Sequence, residues 1–213
     1  MTGRSSRVAD LREACIREAL AIIETSGIEE LSLREIARRL GVSHQAPYKH
    51  FTSRDHILAE IVRRAFEAFA QYLDERPRSG NARRDLEAMG RAYVTYAMAH
   101  PLQYRLMFGT PLPNPEQHPD MMHSAKHAFA LLRDCIGQMI IQSGTTTNSD
   151  SVELDALFVW SSLHGVASIM NTSTIDTLGL SNAVLEAAFQ HVLRRIGAAL
   201  NTPMSHLPSE FED

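Results

Sequence analysis

Residues 32–51 read SLREIARRLGVSHQAPYKHF, and two short helical patterns lie end to end within them. Ser32 stands three residues before Glu35, the spacing of a capping box, in which the serine hydroxyl accepts from the Glu35 backbone and the carboxylate reaches back. Leu33, Ile36, Ala37 and Leu40 recur at three- and four-residue steps and make the apolar face of a helix over 33–40. Gly41 ends that helix, because glycine tolerates the left-handed backbone that a branched residue resists. Ser43 is placed to cap a second helix running to about His50. Helix, glycine turn and helix at this spacing form a helix-turn-helix. Ala37 is small enough for the helices to cross closely, and Val42 can plug the gap. Leu40, Val42, Ala46 and Phe51 are expected to face inward. His44, Gln45, Tyr48, Lys49 and His50 stay outside, and each can donate a hydrogen bond to a base edge or a phosphate. Spacing alone leaves a blander reading open, since short capped helices joined by glycine occur in many all-α proteins.

Pro47 falls inside the second helix. It has no N–H for the first intrahelical hydrogen bond and biases Ala46 away from α geometry. The expectation is a tightened helix, not a broken one.

Helical periodicity continues in both directions. Upstream, Val8, Leu11, Cys15, Ala19 and Ile22 mark a helix over 8–26, with Gly27 as its C-cap. Downstream, Thr52 or Ser53 starts a long helix with Asp55 in its first turn and a wide apolar stripe from Ile57 to Leu73. Pro77 to Gly80 breaks it. Further helices are expected over 81–99, 102–108, 119–143, 150–171 and 181–200, with a proline-rich loop from Thr110 to Pro119 and a linker over 144–149. The polar tail after Thr202, with Pro203 and Pro208, should fray. No convincing strand pattern occurs. The fold class is all-α with about nine helices: a three-helix helix-turn-helix domain over 1–52, then a helical region over 53–213.

Composition narrows the function. The chain has 213 residues, 44% of them hydrophobic, and a net charge of −4. The charge is divided unevenly: residues 1–64 hold eleven Lys or Arg against nine Asp or Glu, +2, and residues 65–213 hold ten against sixteen, −6. The basic excess lies where a nucleic-acid contact would need it. No apolar run reaches the roughly 20 residues of a membrane helix, and the N-terminus lacks a signal-peptide core. A cytoplasmic protein with Cys15 and Cys135 reduced is expected. G-x-S-x-G, a phosphate-cradling glycine loop and a metalloprotease histidine pair are all missing, so no enzymatic role and no cofactor are expected. His123 and His127 stand four apart with His118 nearby, a spacing that can seat zinc or nickel. Surface histidines explain the pattern more simply, since no cysteine or carboxylate cluster joins them, and no metal is expected.

The run SLREIARRLGVSHQAPYKHFTSRDHILAEIV, residues 32–62, resembles the DNA-binding region of the TetR family of bacterial regulators. The likeness rests on Ser-Leu, Ile-Ala, Leu-Gly-Val-Ser, Tyr-x-His-Phe and Ser-Arg-Asp taken together, and covers about residues 10–64. Pro47 departs from it, standing where a small or β-branched residue is commoner. The resemblance implies that Ser32, His44, Gln45, Tyr48, Lys49, His50 and Arg54 lie at or near DNA, with Tyr48 and Lys49 on phosphates and His44 and Gln45 at base edges. Trp160-Ser-Ser-Leu-His164-Gly165, with the His100-Pro101 to Phe108-Gly109 segment, resembles the WHG-type C-terminal domain of one TetR subgroup.

Tyr93, Tyr96, Met107, Phe108, Trp160 and His164 are therefore candidates to line a site for a small-molecule effector, and their aromatic and methionine side chains suit an apolar or aromatic compound. Plain core packing is the competing reading, and His164 reads equally as a satisfied core histidine. The last two helices carry more apolar residues than one face requires, which suggests packing on a second copy. Leu163, Val166, Phe189, Val192, Leu193 and Ile196 are the expected interface residues. The resemblance implies a four-helix interface, and a two-fold dimer would face a pseudo-palindromic double-stranded operator. It further implies repression relieved when an effector shifts the helix that begins near residue 53; activation is the alternative.

Overall fold

The computed structural model describes the backbone of residues 3–109, 111–144 and 149–201, with side chains from Asp10 onward apart from Thr174. The Val8 side chain, Thr110, Thr145–Asn148 of the linker and the tail from Thr202 lie outside the described residues.

Among the described residues eight α-helices follow one another: α1 Gly3–Ser26, α2 Leu33–Leu40, α3 Arg54–Asp74, α4 Ala82–Ala99, α5 Pro101–Phe108, α6 Pro119–Gln142, α7 Ser149–Met170 and α8 Asn182–Ala199. Three 3-10 turns punctuate them, at Ile28–Glu30, Pro47–Lys49 and Ser173–Leu178. No strand occurs among the described residues. The all-α expectation holds, and the helix bounds read from periodicity fall within a few residues of those observed. The exception is the second helix of the helix-turn-helix, which is a turn followed by the three-residue 3-10 element Pro47–Lys49. Proline explains this. Without an N–H, Pro47 cannot bond the Ser43 carbonyl, which takes Ala46 N–H at 2.9 Å instead, a three-residue step. Ser43 makes no side-chain cap there.

The chain divides into two compact units. The first comprises Met1–Ala70 and Leu102–Ala128. Its core gathers Cys15, Ala19 and Ile22 of α1, Ile36 and Ala37 of α2, Phe51, and Ile57 and Val62 of α3, all with no exposed surface. Ser32 caps α2, its hydroxyl accepting Glu35 N–H at 3.2 Å. The other half of the expected capping box does not form, because the Glu35 carboxylate is taken by Arg38 at 2.6 Å and Arg39 at 2.9 Å. Gly41 closes α2 at φ 64°, and Val42 N–H returns to the Ala37 carbonyl at 3.1 Å. Ser53 caps α3 by accepting His56 N–H at 3.0 Å. A charged clamp binds α1 to α3: Glu60 holds Arg12 at 3.0 Å, Arg63 at 2.9 Å and Arg64 at 2.8 Å, and Arg64 also grips both oxygens of Glu13 at 2.6 Å. Burial alone would raise the Glu60 carboxyl, but the hydrogen bonds from Arg63, Arg64 and Arg12 override it and hold the group at about 2.

The second unit comprises Gln71–Pro101 and Phe129–Asp213. Met89, Tyr93, Val94 and Ala97 of α4 bury with Ala156, Val159, Leu163 and Ala167 of α7 and with Leu193 and Ile196 of α8. Gly90 is the close-approach point: a Cβ there would stand 2.6 Å from Leu193 Cδ2 and 3.6 Å from Leu163. Gln142 fastens α6 to the start of α4, accepting Ala82 N–H at 2.9 Å and donating to the Gly80 carbonyl at 3.1 Å.

Candidate nucleic-acid interface and polar cluster

The turn that carries the candidate DNA contacts is held from beneath by two rings. Phe51 is fully buried and Pro47 is buried, so the proline that shortens the helix is also part of its packing. Arg12 lays its guanidinium 5.3 Å above the Phe51 ring. With that floor fixed, His44, Gln45, Tyr48 and Lys49 are exposed side by side and His50 is half-buried. Tyr48 keeps 44% of its surface, high for a tyrosine beside a core. Ser32 is half-buried at the α2 cap. Arg54 donates to the Ile28 carbonyl at 2.8 Å and the Leu31 carbonyl at 3.2 Å, tying the first residue of α3 to the joint between α1 and α2. Arg34, which the motif reading passed over, is exposed on the first turn of α2 and has no ion-pair partner among the described residues.

The six candidate effector residues fall into both units. Met107 is buried in the first, and Phe108 packs there edge-on against Phe66 at 5.6 Å and Phe69 at 6.4 Å. The other four belong to the second unit. Tyr96 is buried between Tyr72, 5.4 Å away, and His100, 4.4 Å away. Tyr93, Trp160 and His164 meet. Trp160 Nε1 donates to the Tyr93 hydroxyl at 3.3 Å, that hydroxyl lies 3.3 Å from His164 Nδ1, and His164 Nε2 lies 3.2 Å from Ser168 Oγ. Phe129 of α6 stands edge-on to Trp160 at 6.0 Å. Burial pushes the His164 imidazole below its ordinary range. Ser168 went unnoticed in the sequence, although its signal was available: Trp160, His164 and Ser168 form one stripe at four-residue steps.

The residues expected at a dimer interface divide by burial. Leu163, Leu193 and Ile196 are engaged in the core of their own unit, whereas Val166, Phe189 and Val192 are half-buried. The exposed apolar residues of α7 are Leu154, Leu157, Phe158 and Ile169, and Val184 of α8 joins them in exposure.

His118 stacks on His56 at 6.2 Å, and His123 and His127 are exposed. Among the described residues no three His, Cys, Asp or Glu side chains are placed to hold a metal ion, and no helix is long and apolar enough to cross a membrane.

Comparison with known proteins agrees with this layout. Residues 16–61 match the profile described as bacterial regulatory proteins, tetR family, and residues 86–196 match the tetracyclin repressor-like C-terminal domain. An HTH-type transcriptional regulator of Mycobacterium tuberculosis, Rv0681, is 24% identical over 196 residues, covering 92% of this chain and 84% of that protein. A second from the same organism, Rv1816, is 34% identical over 98 residues, 44% of this chain and 42% of that one. Among solved structures, the regulatory protein SCO4313 superposes with a TM-score of 0.73 at 28% identity, covering 92% of this chain and 98% of its own. FadR from Bacillus subtilis, solved with stearoyl-CoA, shares the fold with a TM-score of 0.65 at 16% identity, covering 87% of this chain and 97% of its own.

Proposed function

Because the chain belongs to the TetR family of transcriptional regulators and carries its DNA-binding helix-turn-helix, we propose that it is a cytoplasmic homodimeric repressor, without catalytic activity, released from its operator by a small-molecule effector. The observation that carries the reading is the recognition turn, where Pro47 and Phe51 are buried and His44, Gln45, Tyr48 and Lys49 are left for a ligand. Residues 1–52 are the operator-reading part and residues 53–213 the effector-binding and dimerising part. Tyr48, Lys49 and the Ser32 cap address phosphates, with His50 beside them, and His44 and Gln45 address base edges. Arg54 serves near the DNA by fixing the α1–α2 joint.

Tyr93, Trp160 and His164 form the heart of the effector site, with Tyr96 of the same unit as an outlying candidate. An apolar or aromatic effector suits these side chains. It lowers operator affinity only by binding the DNA-incompetent state more tightly. Dimerisation uses the exposed face of α7 together with Val166, Phe189 and Val192, which supports a two-fold assembly on a pseudo-palindromic operator.

A gel-shift titration against the duplex upstream of the protein's own coding sequence tests the proposal. A salt-sensitive band that outcompetes random duplex is expected. Lys49→Ala should weaken binding across all sequences and reduce the salt slope by about one. A band no stronger than that of random DNA would sink the operator claim.

A further inference from the structure

The capping box of residues 32–35 is only half made, and the acid that leaves it unfinished is used elsewhere. Glu35 takes two arginines of its own helix. Arg38 donates to both carboxylate oxygens, from Nη2 at 2.6 Å and from Nε at 2.8 Å, and Arg39 Nε donates to Oε1 at 2.9 Å. Arg39 has a second hold, on Glu18 of α1 at 3.4 Å. The hydrogen bonds from Arg38 and Arg39 keep the Glu35 carboxyl down at about 2, so it is charged at neutral pH.

Stability is a weak reason for this arrangement. The Arg38 side chain keeps 68% of its surface, and ion pairs so exposed add little to folding. Their effect on the charge offered to DNA is larger. Residues 32–56 contain five cations, Arg34, Arg38, Arg39, Lys49 and Arg54, and two acids, Glu35 and Asp55. Arg54 is spent on the Ile28 and Leu31 carbonyls and on Asp55 at 3.4 Å. Glu35 occupies Arg38 and Arg39. Only Arg34 and Lys49 are then without a side-chain partner among the described residues. Arg38 also stands where a loose cation would matter. Its carbonyl accepts Gly41 N–H at 3.3 Å, so it borders the turn that leads into His44 and Gln45. A free arginine there would seek phosphate whatever the base sequence.

We propose that Glu35 is a selectivity residue: by holding Arg38, and Arg39 together with Glu18, it withholds cations from phosphates, keeps affinity for random duplex low and leaves the choice of site to base-edge contacts. The inference rests on the DNA-binding role of the helix-turn-helix and is independent of the repressor and effector readings. A helix-stabilising acid in the first turn of α2 is the competing role, and it predicts weaker DNA binding when Glu35 is lost.

Fluorescence anisotropy with a labelled duplex of random sequence, at NaCl concentrations between about 50 and 200 mM, separates the two. Glu35→Gln should tighten binding at the low-salt end by roughly 10-fold and steepen the salt slope by about 0.9 per bound subunit, the value for one added phosphate contact. Combining Glu35→Gln with Arg38→Gln preserves the wild-type net charge and leaves Arg39 on Glu18, so affinity and slope should both return to wild type. A Glu35→Gln variant with an unchanged slope, or with weaker binding, overturns the proposal. So does a gain that survives Arg38→Gln. Wild-type protein that binds no duplex even at about 50 mM salt would instead remove the DNA-binding role on which the proposal stands.

Discussion

The helix-turn-helix unit and the α7–α8 region bury their apolar residues on different terms. In the first, α1, α2 and α3 leave almost nothing apolar outside: Cys15, Ile22, Ile36, Phe51, Ile57 and Val62 are fully enclosed, and charged clamps lock the rim. In the second, α7 buries Ala156, Val159, Leu163 and Ala167 yet shows Leu157, Phe158 and Ile169 to solvent. A closed apolar core needs no partner, whereas an exposed apolar stripe is unfavourable until something covers it. The comparison teaches that the helix-turn-helix unit closes its apolar core on itself, whereas α7 keeps an apolar stripe that its own unit does not cover. Substitutions in the two regions should therefore differ in kind as well as size.

The largest effect is expected at Phe51. Truncation to alanine removes the ring beneath the recognition turn and leaves a cavity among α1, α2 and α3. Phe51→Ala should cost about 4 kcal/mol, read as a fall in the urea midpoint, and should abolish operator binding. A loss below about 1 kcal/mol would mean the turn is not supported from beneath, and the contrast with α7 would fail.

Next comes Glu60, the centre of the clamp. Glu60→Gln leaves three guanidinium groups around a neutral amide and should cost about 2 kcal/mol at neutral pH. The pH dependence has a definite sign. The folded carboxyl is held at about 2, below its ordinary 4.5, so its contribution is complete above that ordinary value and disappears as pH falls toward 2. The stability gap between wild type and Glu60→Gln, measured by denaturant titration at several pH values, should therefore close in acid. A gap that widens in acid would contradict the clamp.

Gly90 tests the second unit at its closest packing. Gly90→Ala gains about 1 kcal/mol of helix propensity but drives a methyl group against Leu193, itself flanked by Leu163. Overpacking of that kind costs about 1–3 kcal/mol, so a net loss of about 1 kcal/mol is expected in thermal or urea melts. A net gain would show that α8 is free to move away from α4.

These contrasts mark where sequence reading succeeds and where it stops. Helix positions, the Ser32 cap and the Gly41 stop are local signals, and they appear where periodicity and capping chemistry put them. Pro47 announced a departure, but a missing N–H does not say how many residues the turn will lose; the answer depends on Ser43 taking Ala46 instead. The resemblance implies that Arg54 lies at or near DNA, but it does not show that Arg54 also bonds the Ile28 and Leu31 carbonyls, 26 and 23 residues away in the chain. The Tyr93–His164 meeting spans 71 residues and is equally invisible to spacing. On α7 and α8 the apolar stripes were legible, but a stripe does not say whether it faces its own core. That is why Leu163, Leu193 and Ile196 drew the same expectation as residues that remain accessible.

The smallest effect on the subunit's own stability is expected on that exposed stripe, and it is the most informative. Leu157 and Ile169 keep 48% and 53% of their surface, so a lysine at either position displaces no core contact. Leu157→Lys combined with Ile169→Lys should change the unfolding free energy of the isolated subunit by less than about 0.5 kcal/mol. If the stripe is the seam between two copies, the same pair of charges must be desolvated on association without a counter-charge, and the dimer should dissociate in sedimentation equilibrium. Operator binding should weaken with it, since two recognition turns would no longer be presented together. A double variant that remains dimeric would place the interface elsewhere, and one that unfolds as a monomer would show that the α7 face is part of the subunit's own core.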